Sequence, residues 1–142
     1  MSTVSKPWSY TLQLPHDVQS PRIARYTLRA VLEAHGLRQL RDVAELLASE
    51  LLTNAHLHSD GEYALRLRSG VPGRVRISVW DTNPEIPDAF VKEPVVPDDA
   101  AECGRGLVLV RLCADSWGAY RLGGEAFGGT GKLLWAECGE AS

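Results

Sequence analysis

"ELLTNAHLHS", residues 50–59, has a helical pattern that sets polar side chains among apolar ones. On a helix turning roughly 100° per residue, the segment from Arg38 to about His58 divides into two arcs. Asp42, Glu45, Ser49, Thr53 and His56 fall on one arc, which is expected to face water. Val43, Ala44, Leu46, Leu47, Ala48, Leu51, Leu52, Ala55 and Leu57 fill the rest of the circle. Glu50, Asn54 and His58 intrude there, spaced i, i+4, i+8, and so form a ridge along one side. A carboxylate held near apolar surface is costly unless something pairs with it. Two readings of the ridge are open. One is a buried hydrogen-bonded pair, or a carboxylate escaping at the edge of the core. The other is a metal–oxyanion site, because an Asn oxygen is a hard ligand suited to Mg²⁺ and a Glu can orient or deprotonate a hydroxyl.

The elements around this helix follow from local pattern. "WSYTLQL" (8–14) alternates and stops at Pro15, which predicts a strand. "SPRIARYTLRAVLEAHG" (20–36) predicts a helix with Ser20 as N-cap, Pro21 at the first helical position and Gly36 as terminator. Arg22, Arg25 and Arg29 lie on its successive turns and read as a solvated face. "EYALRLRS" (62–69) and "RVRISVWD" (74–81), joined by the turn "VPG", predict a hairpin. From Thr82 to Gly106 no periodic pattern survives, and Pro84, Pro87, Pro94 and Pro97 punctuate the segment. A structureless stretch of that length in a small domain is unusual and often functional. "LVLVRLCADSWG" (107–118) follows a glycine pair and is read as helix; "WGAYRL" (117–122) and "GKLLWAEC" (131–138) are the last two strands.

Composition bounds the function classes. The 142 residues suit one domain with a real core; 44% are apolar and 23% charged. A net charge of −3 without a basic run gives no footprint for direct nucleic-acid binding. No stretch approaches the roughly 20 apolar residues a membrane helix needs, and the first residues lack an apolar signal core. Cys103, Cys113 and Cys138 fit no zinc spacing, so free thiols in a reducing cytoplasm are expected.

Other candidate site residues lie beyond the helix. Asp81 ends an apolar strand in "VWDTNPEIP" (79–87); it is either a turn former or an acceptor at a pocket floor, able to take a hydrogen bond from an exocyclic amine. In "CGRGL" (103–107), Gly104 and Gly106 let the backbone approach a ligand, and a helix N-terminus attracts anions. Arg105 adds a possible charge-assisted contact to phosphate. "GGTGK" (128–132) lacks the full Walker spacing and precedes a strand, so it is not a phosphate loop.

Taken in order, a helical E-x-x-x-N, a strand-end Asp, a long irregular segment, a G-x-G opening a helix and a Thr-Gly before the last strand resemble the GHKL (Bergerat) ATP-binding fold. The closer resemblance is to its anti-sigma-factor serine/threonine kinase branch, small ATP-binding regulators abundant in actinobacteria. "ELLTNAHLHS" looks like the N-box, "VWDTNPEIP" the first glycine box, "GRGLVLVRLCADSWG" the second, and "GTGKLLWAEC" the closing strand. The resemblance implies an α+β, two-layer α/β sandwich with a mixed, mainly antiparallel sheet and helices on one face. Residues 1–142 would be a single domain, with a lid at about 82–106 over the nucleotide.

The same resemblance assigns roles. Glu50 would be the general base, and Asn54 would hold Mg²⁺ at the phosphates of ATP. Asp81 would accept the adenine amine, with Thr130 near the base. Gly104, Arg105, Gly106 and Leu107 would form the second glycine box. Where the family has D-x-G, this chain has Asp81-Thr82-Asn83; Asn tolerates positive φ, and the turn is expected to survive in that form. The implied activity is phosphorylation of a small anti-sigma-factor antagonist protein, with a sigma factor held in competition and a homodimeric assembly. The alternative is a GHKL module that binds nucleotide or a protein partner without transferring phosphate. An ATPase of the gyrase kind ranks last, because the chain is too short for transducing domains.

Overall fold

The computed structural model describes residues 6–91, 105–123 and 130–140. Its strands are β1 (Trp8–Leu14), β2 (Tyr63–Ser69), β3 (Arg74–Asp81), β4 (Ser116–Leu122) and β5 (Gly131–Gly139). Its α-helices are α1 (Ser20–Ala34), α2 (Arg41–His58) and α3 (Arg105–Cys113), with short 3₁₀ turns at Arg38–Leu40 and Asp88–Phe90. The strands form one sheet in the order β1-β2-β3-β5-β4, and each of the four pairings is antiparallel. The expected α+β sandwich is therefore present, and among the described strands no pair is parallel.

Period-2 alternation decides which side chains meet the helices. On β3, Val75, Ile77, Val79 and Asp81 are buried, and their cross-strand partners on β5 are Cys138, Ala136, Leu134 and Lys132, also buried. Tyr63, Leu65 and Leu67 continue this layer on β2. α2 lies over it with Ala44, Leu47, Ala48, Leu51, Leu52 and Ala55 fully buried, and α1 adds Ala24, Leu28 and Leu32. The opposite sheet face has arginine and tryptophan in place of a helix layer: Arg76 stacks over the Trp135 ring at 3.9 Å, and Arg74 and Arg76 both donate to Glu137. Trp135 in turn covers Gly118 of β4, where a Cβ would sit 2.5 Å from its indole nitrogen.

Two local expectations change and one holds. Ser20 lies inside the first turn of α1 instead of capping it; Gln19 precedes the helix, and the Ser20 hydroxyl donates to the Pro15 carbonyl at 2.6 Å. The Asp17 side chain accepts from the Gln19 N–H at 2.7 Å, so the turn before the helix has its own bonding and draws Ser20 backwards. α3 ends at Cys113, earlier than the apolar run suggests, because the Asp115 N–H bonds Glu137 on β5 and opens β4. Gly36 does terminate α1, with φ of 72°.

Candidate active site

α2 packs on the inner sheet face, and its ridge opens onto a cavity of about 560 Å³. Glu50, Asn54, Leu57 and His58 border that cavity from the helix. The chain leaving β3 supplies the far wall from Asn83 to Ala89, while Leu107 of α3 and Lys132 of β5 close the inner end. The two-arc reading of α2 fails at Leu57, which is 68% exposed at the cavity rim, and at His56, which is half-buried. Glu45 and Ser49, expected in water, are half-buried. The Glu45 carboxylate receives Arg29 of α1 and, at 3.3 Å, Arg41, and this holds the two helices together.

The ridge is not a bonded pair. Asn54 is 8% exposed, and its Oδ1 is buried with no hydrogen-bond partner among the described residues. Glu50 is half-buried, and no hydrogen bond or ion pair holds it among the described residues. A buried amide oxygen left without a donor costs on the order of 1–3 kcal/mol. An acceptor left free beside a carboxylate at a cavity wall suits a hard cation such as Mg²⁺. The residues present therefore fit the metal that the sequence led us to expect.

Asp81 is placed differently. It is 1% exposed and does not border the cavity. Its cross-strand partner Lys132, also 1% exposed, lies over it, with Nζ 3.0 Å from Oδ1 and 2.9 Å from Oδ2. The ammonium also donates to the Asn83 carbonyl at 3.2 Å. Lys132 was not singled out from the sequence. The signal was available, since the alternation that puts Leu134, Ala136 and Cys138 inward also puts Lys132 inward.

Asn83 keeps the turn, but not by the expected positive φ, which no described non-glycine residue adopts. It works through its side chain. Its N–H bonds Asp81 Oδ1 at 2.8 Å, its Nδ2 donates to the His58 carbonyl at 2.7 Å, and its Oδ1 accepts from the Glu85 N–H at 3.0 Å. The amide thereby ties the end of α2 to the cavity wall, a job a glycine cannot do. Farther along, Phe90 packs on Trp117, Arg111 lies over the same ring at 4.0 Å, and Arg111 donates to the Ala89 carbonyl.

The remaining candidates divide. Leu107 is buried and borders the cavity; Thr130 is exposed and does not border it. Arg105 and Gly106 open α3, while Gly104 and most of the expected lid fall outside the described residues. A second cavity of about 590 Å³ lies on the outer sheet face, where Arg74 and Arg76 are already bonded to Glu137. The described residues include no helix long and apolar enough to cross a membrane.

This arrangement, a helix ridge over an antiparallel sheet with a strand-end carboxylate, agrees with the comparison to protein families. The model of the histidine kinase-like ATPase domain matches residues 14–135. The chain belongs to that family of GHKL ATP-binding domains. No curated protein matches it.

Proposed function

We propose that the chain is a Mg²⁺·ATP-binding regulator that phosphorylates a serine or threonine hydroxyl on a partner protein, in the manner of an anti-sigma factor kinase. The observation that carries this reading is the unpartnered Asn54 oxygen one turn from the unpaired Glu50 carboxylate, both at the cavity wall. A bound Mg²⁺ would be held by Asn54 and would supply charge neutralisation at the phosphates. Glu50 takes the proton of the acceptor hydroxyl as its oxygen bonds to the γ-phosphorus. The bond from that phosphorus to the bridging oxygen breaks, and ADP leaves. Phosphoryl transfer needs mostly positioning and electrostatics, so a small set of groups suffices. The partners proposed from the family branch are an anti-sigma-factor antagonist and a sigma factor, with two copies of the chain assembled together in a cytoplasmic setting.

One observation favours a second reading, a module that binds without transferring phosphate. The carboxylate expected to select adenine is covered by Lys132. Titration calorimetry of ATP with Mg²⁺ into the wild type and Asn54→Ala tests the site, with binding expected to require both the metal and Asn54. Phosphate transfer to candidate antagonist proteins by wild type and Glu50→Ala tests the chemistry. Transfer is expected to disappear in Glu50→Ala while ATP still binds. Transfer at the wild-type rate in that variant would remove Glu50 as the base.

A further inference from the structure

Of the buried Asp81–Lys132 pair, Lys132 is the member that borders the cavity, and Asp81 lies behind it. Asp81 Oδ1 already accepts from Lys132 and from the Asn83 N–H, and Oδ2 lies 2.9 Å from the same ammonium. The carboxylate thus makes two of the three close contacts of the ammonium. The third contact, to the Asn83 carbonyl, is the longest at 3.2 Å and is the one a ligand can take over.

The chemical demand on a ligand is thereby inverted. A carboxylate only accepts hydrogen bonds, and an ammonium only donates them. A bare Asp at this position rewards the amine at C6 of adenine and repels the carbonyl oxygen of a 6-oxopurine. With Lys132 held over it, the site asks for an acceptor instead. Adenine offers ring nitrogens; hypoxanthine and guanine offer the stronger O6. Selectivity built on a hydrogen bond is lost when the group that enforces it is masked.

We propose that Lys132, anchored by Asp81, is the specificity-determining residue that reads the base, so that the cavity takes 6-oxopurine nucleoside triphosphates as well as ATP. This inference rests on the reading that a nucleotide occupies the cavity. Titration calorimetry with Mg²⁺·ATP and Mg²⁺·ITP tests it, because the two bases differ at C6 and in the protonation of N1 but share an unsubstituted C2. For the wild type, the dissociation constant of ITP is expected within about tenfold of that of ATP. In Lys132→Met, ITP is expected to lose at least about tenfold more affinity than ATP. ATP binding with ITP weaker by more than that margin in the wild type overturns the inference and leaves the nucleotide site standing. An equal loss for both nucleotides in a folded Lys132→Met also overturns it. Binding of neither nucleotide overturns both. The wild-type comparison decides even if the variant does not fold.

Discussion

Replacing Lys132 by Met would leave the Asp81 carboxylate buried without its partner. Both residues are 1% exposed, and two contacts of 2.9–3.0 Å join them, so neither charge has solvent to fall back on. Removing one member of such a pair costs about 3–5 kcal/mol, whereas replacing both with apolar or neutral groups of similar volume is often close to neutral. That loss is a large share of the roughly 5–15 kcal/mol that holds a domain of this kind together. With a urea m value of about 2 kcal/mol/M, the midpoint of Lys132→Met should fall by roughly 1.5–2.5 M. Asp81→Asn, which strands the ammonium instead, should lose a comparable amount. The double variant Asp81→Asn/Lys132→Met should lose far less than the sum, giving a coupling energy of about 2 kcal/mol or more. The assay is equilibrium urea unfolding followed by circular dichroism on all four proteins, without nucleotide, so that ligand linkage does not mask the effect. A cost under about 1 kcal/mol for Lys132→Met, or simple additivity in the double variant, would refute the buried pair.

Gly131→Ala should destabilise by about 2–4 kcal/mol, because its Cβ would lie 2.3 Å from the Asp81 carbonyl oxygen and 3.0 Å from the Trp80 indole nitrogen. Gly123→Ala, with nothing within 4 Å, is the control, and equal unfolding midpoints for the two would contradict the close approach of β3 and β5. Burial pushes the Cys138 thiol up to about 12, so at pH 8 a thiol reagent should modify exposed Cys113 and spare Cys138 until denaturant is added. Peptide mapping reads this directly, and equal labelling rates in the native protein would count against it. The hydrogen bond from Arg29 holds the Glu45 carboxyl below its ordinary range, with Arg41 adding to the effect. A folded pKa below the unfolded one means stability that is present above the ordinary carboxylate range and lost as pH falls through the folded value. Glu45→Gln should therefore be less stable than wild type by on the order of 1 kcal/mol at pH 7, with the gap closing as the pH falls below the ordinary carboxylate range. A gap independent of pH would assign the effect to packing.

The helix ridge was legible because a 3.6-residue period is a property of the sequence itself: Glu50 and Asn54 could be placed on one side of α2 before anything was known of their neighbours. The sheet was nearly as legible, since alternation in 62–69 and 74–81 separates inner from outer residues. Caps were less so, because Ser20 has competing local partners and the winner depends on the turn at Pro15–Asp17. Lys132 was harder for a different reason. Its inward direction could be read from β5 alone, but its meaning depends on Asp81, fifty-one residues earlier and brought alongside only by the β3–β5 pairing. Asn83 is the same kind of case. As a substitute for glycine it suggested a backbone conformation, and only the position of the His58 carbonyl shows why an amide side chain is useful there.

The β3–β5 register also bears on how such a chain can change over evolutionary time. Asp81 and Lys132 are the last inward rung of a ladder whose earlier rungs are Val79 with Leu134, Ile77 with Ala136 and Val75 with Cys138. Deleting one residue within either strand would exchange its two faces, turning Trp80 inward in place of Asp81 or Leu133 in place of Lys132. Single-residue insertions and deletions should thus be excluded from these two strands far more strictly than substitutions are. The hairpin turn at 70–73, outside the ladder, can vary in length with the rungs unchanged. Lineages that carry the site should differ in its side chains while keeping the spacing between them within each strand.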